Sequence, residues 1–210
     1  MFKVQVRFAL LALLLPLLLN ATHILKDDIL KPEASKLIEE MADELFSKTG
    51  INGYLVATNE NFPERFNLVT YSKKYEANLS KPYVMMIFAP NAVITAKSAE
   101  KGRVALIPSA KEIATLYDKS DVMDATIDVI AAKDKNTIED KHNIGLVQGF
   151  SELADQIASS KNVEMTTTLP NETRYIISVL QVIVIIGALL VFWMFMFRPL
   201  YMRIKNGKQK

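Results

Sequence analysis

Four aspartates that could bind a metal ion lie within eleven residues of the chain, at spacings of 3, 3 and 4. At about 100° per residue, these spacings place Asp118, Asp121, Asp124 and Asp128 within roughly a third of the circumference of one helix. Carboxylates are hard oxygen ligands that suit Ca²⁺ or Mg²⁺, and such an ion polarises a phosphoryl oxygen and activates water. The spacing therefore predicts a weakly bound divalent cation, and with it a metal-dependent phosphomonoester hydrolase as one function.

The same four aspartates also fit the solvated face of an amphipathic helix, which needs no metal. Val122, Met123, Thr126, Val129 and Ile130 fall on the opposite side of that helix. A bound Ca²⁺ needs about six to eight ligands that converge from several segments, and one helix rarely supplies them. Acidic residues near a helix start also interact favourably with the helix dipole. This alternative predicts no cofactor and no catalytic residue.

The chain lacks the residues of most other catalytic sites. It has no cysteine and only two histidines, His23 and His142, so one chain cannot assemble a histidine-based metal site. Its seven glycines form no Gly-x-Ser-x-Gly elbow, Walker loop or Gly-x-Gly-x-x-Gly motif. The polar surroundings of His142 favour an exposed or helix-capping histidine over a general base. These sequence features favour a binding or accessory role over an enzyme.

The C-terminal part of the chain has the pattern of a single membrane span. Residues 175–197 are 23 residues without a charge, enough for a helix to cross the roughly 30 Å hydrocarbon core. Trp193 and Tyr201 are predicted to anchor the interface, together with Arg198 and Arg203 of a basic tail that has no acidic residue. Short flanks rich in Lys and Arg stay on the cytoplasmic side. The pattern predicts a transmembrane helix with a cytoplasmic C-terminus.

Small and polar residues recur along one side of this predicted span. Ser178, Gln181, Ile185 and Ala188 follow one another at steps of 3, 4 and 3. Such seams let helices pack closely, and a glutamine in hydrocarbon seeks a hydrogen-bonding partner. The seam predicts a homodimer through the transmembrane helix, whereas the alternative is a single glutamine that the bilayer tolerates.

The N-terminal segment carries a second membrane signal. Lys3 and Arg7 precede twelve apolar residues, 8–19, and Ala21 supplies a small residue at a plausible cleavage point. This order is typical of a secretory signal peptide over residues 1–21, or of an uncleaved signal anchor if the apolar segment runs on to Leu25. Both versions place residues 26–174 across the membrane, in agreement with the basic C-terminal flank.

The charges sort in the same way. Residues 26–174 contain all 23 acidic residues but only 18 of the 25 basic ones, so this segment carries a net charge of −5. The remaining basic residues flank the two apolar segments. A basic patch that would bind nucleic acid is therefore not expected. Without cysteines, an exported domain has no disulfides and depends on its hydrophobic core.

The segment between the two membrane signals alternates between helix and strand patterns. Apolar residues at i, i+3, i+4 and i+7 predict an amphipathic helix over residues 32–48, with Pro32 at its start and Gly50 just past its end. Strands and helices that alternate in this way predict one α/β domain with helices covering a sheet. The other predicted elements are strands 51–57, 82–89, 91–95 and 102–107, a turn at Lys101-Gly102, and helices 63–75, 109–117 (capped by Ser109), 118–131 and 137–160.

This order of elements resembles the TPM-domain family. The resemblance rests on a helix "EASKLIEEMADELFSKTG" that runs into a strand "INGYLVAT", a second strand "PYVMMIFAP" and a last helix "LVQGFSELADQIASS". It covers residues 30–160 in order and spacing. It implies an α/β/α sandwich with a small mixed sheet, exported and tethered to a membrane. For function, it implies either an acid phosphatase or metal-binding domain, or an accessory factor for membrane complexes.

Together these observations predict a single-pass protein of the cell inner membrane. Its main domain would lie in the periplasm or outside the cell, where it binds a membrane or envelope protein and supports a membrane complex. The alternative is the metal-dependent, acid-phosphatase-like enzyme that uses the aspartate face. The predicted organisation is a signal segment (1–21), an exported TPM-like domain (26–160), a tether (161–174), a transmembrane helix (175–197) and a basic cytoplasmic tail (198–210).

Overall fold

The computed structural model of the protein describes residues 22–95, 97, 100–170 and 172–198, without the side chains of residues 172–181 and 196. The chain divides into two compact units, with the boundary between Leu169 and Pro170. The predicted signal segment, Tyr201 and Arg203 lie outside the described residues.

The first unit contains a mixed sheet of four strands in the order β1-β2-β3-β4. The strands are β1 (Ile24–Asp27), β2 (Asn52–Ala57), β3 (Tyr83–Thr95) and β4 (Glu100–Pro108). Strand β2 pairs parallel with both β1 and β3, whereas β4 pairs antiparallel with β3. Parallel neighbours need a crossover connection, and helices supply both of them.

The helices follow the order that the apolar periods predict. Helix α1 (Pro32–Thr49) joins β1 to β2, and α2 (Leu68–Glu76) joins β2 to β3. Three helices follow the sheet: α3 (Lys111–Ala114), α4 (Lys119–Ala131) and α5 (Ile138–Ser160). The protein therefore has an α/β fold with a mixed sheet, which agrees with the expected fold class.

Strand β3 is buried on both faces, and this explains why its sequence is a continuous apolar run. Val84, Met86 and Phe88 pack into a core with residues of α1, α4 and α5. The alternate residues Tyr83, Met85 and Ile87 pack into a second core with Tyr71 of α2 and with Phe62. The sheet thus separates two apolar layers.

Two predictions for this part of the sheet are wrong. The predicted strands 82–89 and 91–95 are one strand, which continues through Pro90 because the register of β3 with β4 shifts between Ala89 and Val93. A proline is tolerated at such an irregularity, where it interrupts no regular ladder bond. Lys101 and Gly102, predicted to form the turn, lie within β4.

The helix predicted over residues 109–117 is a four-residue turn of helix, and Ser109 does not cap it. The Ser109 hydroxyl instead accepts a hydrogen bond from the backbone N–H of Tyr83, at 2.9 Å. The helix predicted over residues 63–75 begins later, at Leu68, where the side chain of Asn67 accepts a hydrogen bond from the N–H of Val69. A polar side chain therefore sets the start of α2, whereas α3 begins after Ala110 without a side-chain cap.

Strand β1 was not expected from the sequence. Leu25, up to which the signal-anchor alternative extends the apolar segment, lies in this strand, whereas residues 1–21 lie outside the described residues. The Glu39 carboxylate of α1 accepts hydrogen bonds from the backbone N–H groups of His23 and Ile24, at 2.9 and 3.0 Å. This carboxylate satisfies donors at the start of an edge strand, where a neighbouring strand is absent.

The second unit contains α6 (Glu172–Phe192) followed by a π-helical turn at Trp193–Phe197. Its described side chains begin at Val182, and from there to Phe197 the apolar side chains are about half exposed or more. Within the part of the chain that the structure describes, no helix is both long and apolar enough to cross a membrane.

Candidate functional site

A cluster of charged and polar side chains lies where the parallel strands β1 and β2 end. Parallel strands present their carboxyl ends at one edge of a sheet, and open α/β sheets commonly bind ligands outside that edge. Two short sequences leave the strands there, Lys26-Asp27-Asp28 and Thr58-Asn59-Glu60, and α2 adds two further side chains. We refer to Lys26, Asp28, Thr58, Glu60, Tyr71 and Lys74 as the carboxyl-edge cluster.

The ammonium group of Lys26 joins two carboxylates of the cluster. Its Nζ lies 3.0 Å from Oδ2 of Asp28 and 2.5 Å from Oε1 of Glu60. The hydrogen bond to Glu60 is the largest influence on the pKa of Lys26, which is raised above the usual range even though burial opposes the charge. Lys26 therefore stays protonated at any physiological pH.

Asp28 is held by donors from the end of β2. Its Oδ2 accepts a hydrogen bond from the backbone N–H of Asn59 at 3.0 Å, and the Thr58 hydroxyl approaches it at 3.4 Å. The Asn59 N–H contributes most to lowering the pKa of Asp28, and Lys26 adds to this effect while burial opposes it. The carboxylate is therefore ionised and fixed in position.

Helix α2 completes the cluster through Tyr71 and Lys74. The Tyr71 hydroxyl donates to Oε1 of Glu60 at 2.8 Å, and Lys74 Nζ lies 3.5 Å from the same atom. The same ammonium lies 3.6 Å from the centroid of the Tyr71 ring and 5.0 Å from that of Tyr75, within the range of cation–π attraction. Lys26 and then Tyr71 lower the pKa of Glu60, whereas burial raises the pKa of Tyr75 to about 12.

These pKa shifts decide what chemistry the cluster supports. A general acid or base works best when its pKa lies near the working pH. The pKa values of its members Lys26, Asp28 and Glu60 are all shifted away from neutral pH. At neutral pH the cluster therefore presents charged carboxylate and ammonium groups together with hydrogen-bonding hydroxyl groups.

The four predicted metal-ligating aspartates all belong to α4 or its N-cap. Asp118 is the N-cap, and its Oδ1 accepts hydrogen bonds from the backbone N–H groups of Ser120 and Asp121, at 2.8 and 3.3 Å. Asp121, Asp124 and Asp128 lie on exposed positions of the helix. Among the described residues, no group of three or more His, Cys, Asp or Glu side chains is placed to hold a metal ion. The cation site stays a prediction.

The two histidines occupy separate structural positions. His142 of α5 lies edge-on to Phe88, with 5.2 Å between the ring centroids, and burial lowers its pKa below the ordinary value. His23 is buried, with Nδ1 3.0 Å from the Gly53 carbonyl oxygen and Nε2 3.2 Å from Oδ1 of Asp43. Each ring therefore has a packing or hydrogen-bonding role in the described structure.

The predicted membrane residues are only partly described. Trp193 stacks on Phe197 with 5.7 Å between the ring centroids, and Arg198 follows directly. Ile185 and Ala188 of the predicted seam are exposed. The side chains of Ser178 and Gln181 lie outside the described residues, so the seam and the homodimer stay predictions.

The carboxyl-edge cluster was missed because β1 was not recognised as a strand. The sequence does contain a signal for the cluster, because polar residues follow both the apolar run Ile24-Leu25 and the predicted strand 51–57. Neither models of known protein families nor curated proteins match the chain. The TPM-domain resemblance therefore stays a prediction.

Proposed function

We propose that the protein is a membrane-anchored, extracytoplasmic module that binds a partner protein and supports a membrane complex. The observation that supports a membrane anchor is the solvent exposure of the apolar side chains of α6. Between Val182 and Phe197, the described large apolar side chains of this helix and its π-helical turn are exposed, between 49 and 76 %. A helix that is apolar all round is normally covered, either by a protein core or by lipid.

The sequence around α6 supports lipid as the cover. The uncharged run of residues 175–197 has the length of a span, and the Trp193–Phe197 stack and Arg198 lie at its cytoplasmic end. With a signal peptide at residues 1–21, this anchor places the α/β unit in the periplasm or outside the cell. The inner membrane is the proposed location.

The arrangement of the first unit supports the finer fold proposal. Helices α1 and α5 pack on the core at one face of the sheet, and α2 packs on the core at the other. This is the layering expected of an α/β/α sandwich, and it agrees with the TPM-like architecture that the sequence resembles. We favour the accessory-factor branch of that resemblance over the phosphatase branch, because Asp118, one of the four aspartates that the phosphatase would use, is the N-cap of α4 and accepts hydrogen bonds from Ser120 and Asp121.

We assign partner binding to the surface around the carboxyl-edge cluster. Its charged side chains are part exposed, between 25 and 46 %, so a partner reaches them without rearrangement of the core. Asn59 lies at the end of β2 beside this surface, where Asn91 of β3 donates to its side-chain oxygen at 2.6 Å. Fixed charges of both signs favour a partner surface of complementary charge and give specificity more than affinity.

A photo-crosslinking residue at position 59 tests this assignment in cells. We expect a defined crosslinked protein from position 59 and none from position 36, because Lys36 lies on an exposed part of α1. Adding Lys74→Ala should reduce the yield from position 59, whereas Lys73→Ala, on the neighbouring exposed position, should not. Equal crosslinking from positions 59 and 36, or a yield that Lys74→Ala leaves unchanged, would contradict the assignment.

Alkaline extraction tests the anchor independently. The full chain should remain in the membrane pellet at high pH, whereas a chain that ends at Pro170 should be released into the soluble exported fraction. Release of both chains would contradict the proposed anchor.

A further inference from the structure

The nine residues after α5 do not leave the first unit but fold back along it. The chain reverses at Asn162, whose φ of 58° lies in the left-handed region that asparagine tolerates. The N–H of Val163 donates to the Ala158 carbonyl oxygen at 3.0 Å, which closes the end of α5. Residues 164–169, which belong to the predicted tether (161–174), then run back along α1 and α5. We call residues 164–169 the strap.

One carboxylate, that of Glu44 in α1, holds the middle of the strap. It accepts hydrogen bonds from the backbone N–H groups of Thr166 and Thr167, at 2.9 and 2.8 Å, and from both threonine hydroxyls, at 2.6 Å each. Lys48, one turn further along α1, lies 2.7 Å from the same carboxylate. Burial opposes ionisation of Glu44, but these donors outweigh it and hold its pKa below the usual range.

Polar contacts also fix the two ends of the strap. Lys48 Nζ donates to the Glu164 carbonyl oxygen at 2.6 Å. On α5, Asp155 accepts from the Thr168 hydroxyl at 2.7 Å, and the Ser151 hydroxyl accepts from the Leu169 N–H at 2.7 Å. The strap is therefore bound at successive residues to two helices.

The strap adds little to the hydrophobic core. Met165 packs against the core but is only partly buried, and Leu169 is 37 % exposed. Segments with few buried apolar contacts open at lower free energy than the core, as separate cooperative units. Because the hydrogen bonds concentrate on Glu44, loss of this one carboxylate removes most of what holds the strap.

We infer that the strap is a stored length of tether, which detaches from Glu44 and the two helices while the α/β unit stays folded. This role rests on the proposed function, in which the chain beyond the strap is anchored in a membrane. Six released residues extend the reach of the tether by at most about 20 Å. The same release uncovers the Glu44, Ser151 and Asp155 side chains. Binding of the strap to the two helices and the length of the tether are therefore coupled.

Hydrogen exchange of the full chain in detergent, followed by peptide mass, tests the release. The strap amides should exchange faster than those of β3 in the wild-type protein, because the strap opens locally. Glu44→Gln replaces one acceptor oxygen with a donor that faces the Thr167 N–H or hydroxyl, and it removes the charge paired with Lys48. We expect it to accelerate strap exchange by about tenfold, since hydrogen bonds to charged groups are the stronger ones, and to leave β3 unchanged.

Glu40→Gln is the matched control, because Glu40 lies one turn earlier on α1 and contacts Lys36 rather than the strap. It should change neither region. A double variant, Thr166→Val with Thr167→Val, removes only the two hydroxyl donors and should give a smaller acceleration confined to the strap.

Two outcomes would overturn the inference. One is strap exchange at the same rate as β3 in the wild-type protein, which would mean that release requires global unfolding. The other is acceleration of β3 together with the strap in both Glu44→Gln and the threonine double variant. Extraction of the full chain from membranes by alkali would instead contradict the proposed anchor, whatever the exchange rates are.

Discussion

Replacement of Lys26 with methionine removes the ammonium group from between two carboxylates and keeps most of the aliphatic stem. In the wild-type protein, Lys26 Nζ lies 3.0 Å from Asp28 and 2.5 Å from Glu60. The carboxylate side chains are 34 and 42 % exposed, so solvent screens them. Each ion pair of this exposure contributes up to about 1 kcal/mol, which gives an expected loss of about 1–2 kcal/mol in the free energy of unfolding.

Thermal unfolding of residues 22–169, followed by circular dichroism, measures this loss. For a unit of this size, the expected decrease in melting temperature is roughly 2–8 °C. The folded-state pKa values of Asp28 and Glu60 are lowered, so their interaction with Lys26 stabilises the fold above the ordinary carboxyl pKa values and is lost as pH falls through the lowered ones. The difference in melting temperature between the wild-type protein and the Lys26→Met variant should therefore decrease below about pH 4.

Because the pKa of Lys26 is raised, its contribution to the free energy of unfolding persists from neutral into alkaline pH. The stability difference between wild type and variant should therefore not change as the pH rises above neutrality. Lys36→Met is the control, because Lys36 is 77 % exposed and lies 3.7 Å from Glu40. It should change stability by less than about 0.5 kcal/mol. A Lys26→Met loss no larger than that of Lys36→Met, or a gap that persists unchanged at acid pH, would refute the electrostatic reasoning.

Three further predictions concern the helices. A Cβ at Gly149 would overlap the Thr126 side chain, so Gly149→Ala should cost about 1–3 kcal/mol in chemical denaturation, and Thr126→Ala should rescue part of that loss. Gln181→Leu should weaken self-association in a membrane reporter assay if the predicted seam forms a homodimer, and an unchanged signal would retire that seam. A bound cation would stabilise the first unit by about 2.7 kcal/mol at a hundredfold excess over its Kd. We expect no such increase in stability with Ca²⁺ or Mg²⁺. An increase that disappears in the double variant Asp121→Asn with Asp124→Asn would favour the enzymatic alternative.

The long helices of the first unit were predictable because each carries its own signals. Helix α1 spans Pro32–Thr49 against a prediction of residues 32–48, with Pro32 at its start and Gly50 in the left-handed conformation after it. Helix α5 begins after Thr137, whose hydroxyl accepts a hydrogen bond from the N–H of Asp140. The apolar periodicity and the capping residues of a helix lie within or next to the helix itself, so the sequence alone is enough to locate such helices.

The site was not predictable in the same way, because it depends on which strands are neighbours. Strand β1 has four residues, two of them charged, and its place beside β2 comes from long-range pairing rather than from its own pattern. The metal site was predicted from the local spacing of the aspartates on α4. In the structure, Asp118 is the N-cap of that helix. The strap was also missed, since polar hydrogen bonds to Glu44 leave no apolar period in residues 164–169.

We propose that α6 crosses a membrane and holds the α/β unit outside the cytoplasm. A reporter enzyme that is active only outside the cytoplasm tests it most directly when fused in turn after Pro170 and after Lys210. We expect an active reporter after Pro170 and a silent one after Lys210, with both fusions made in equal amount. Silence at Pro170 with activity at Lys210, or equal activity at both positions, would contradict it.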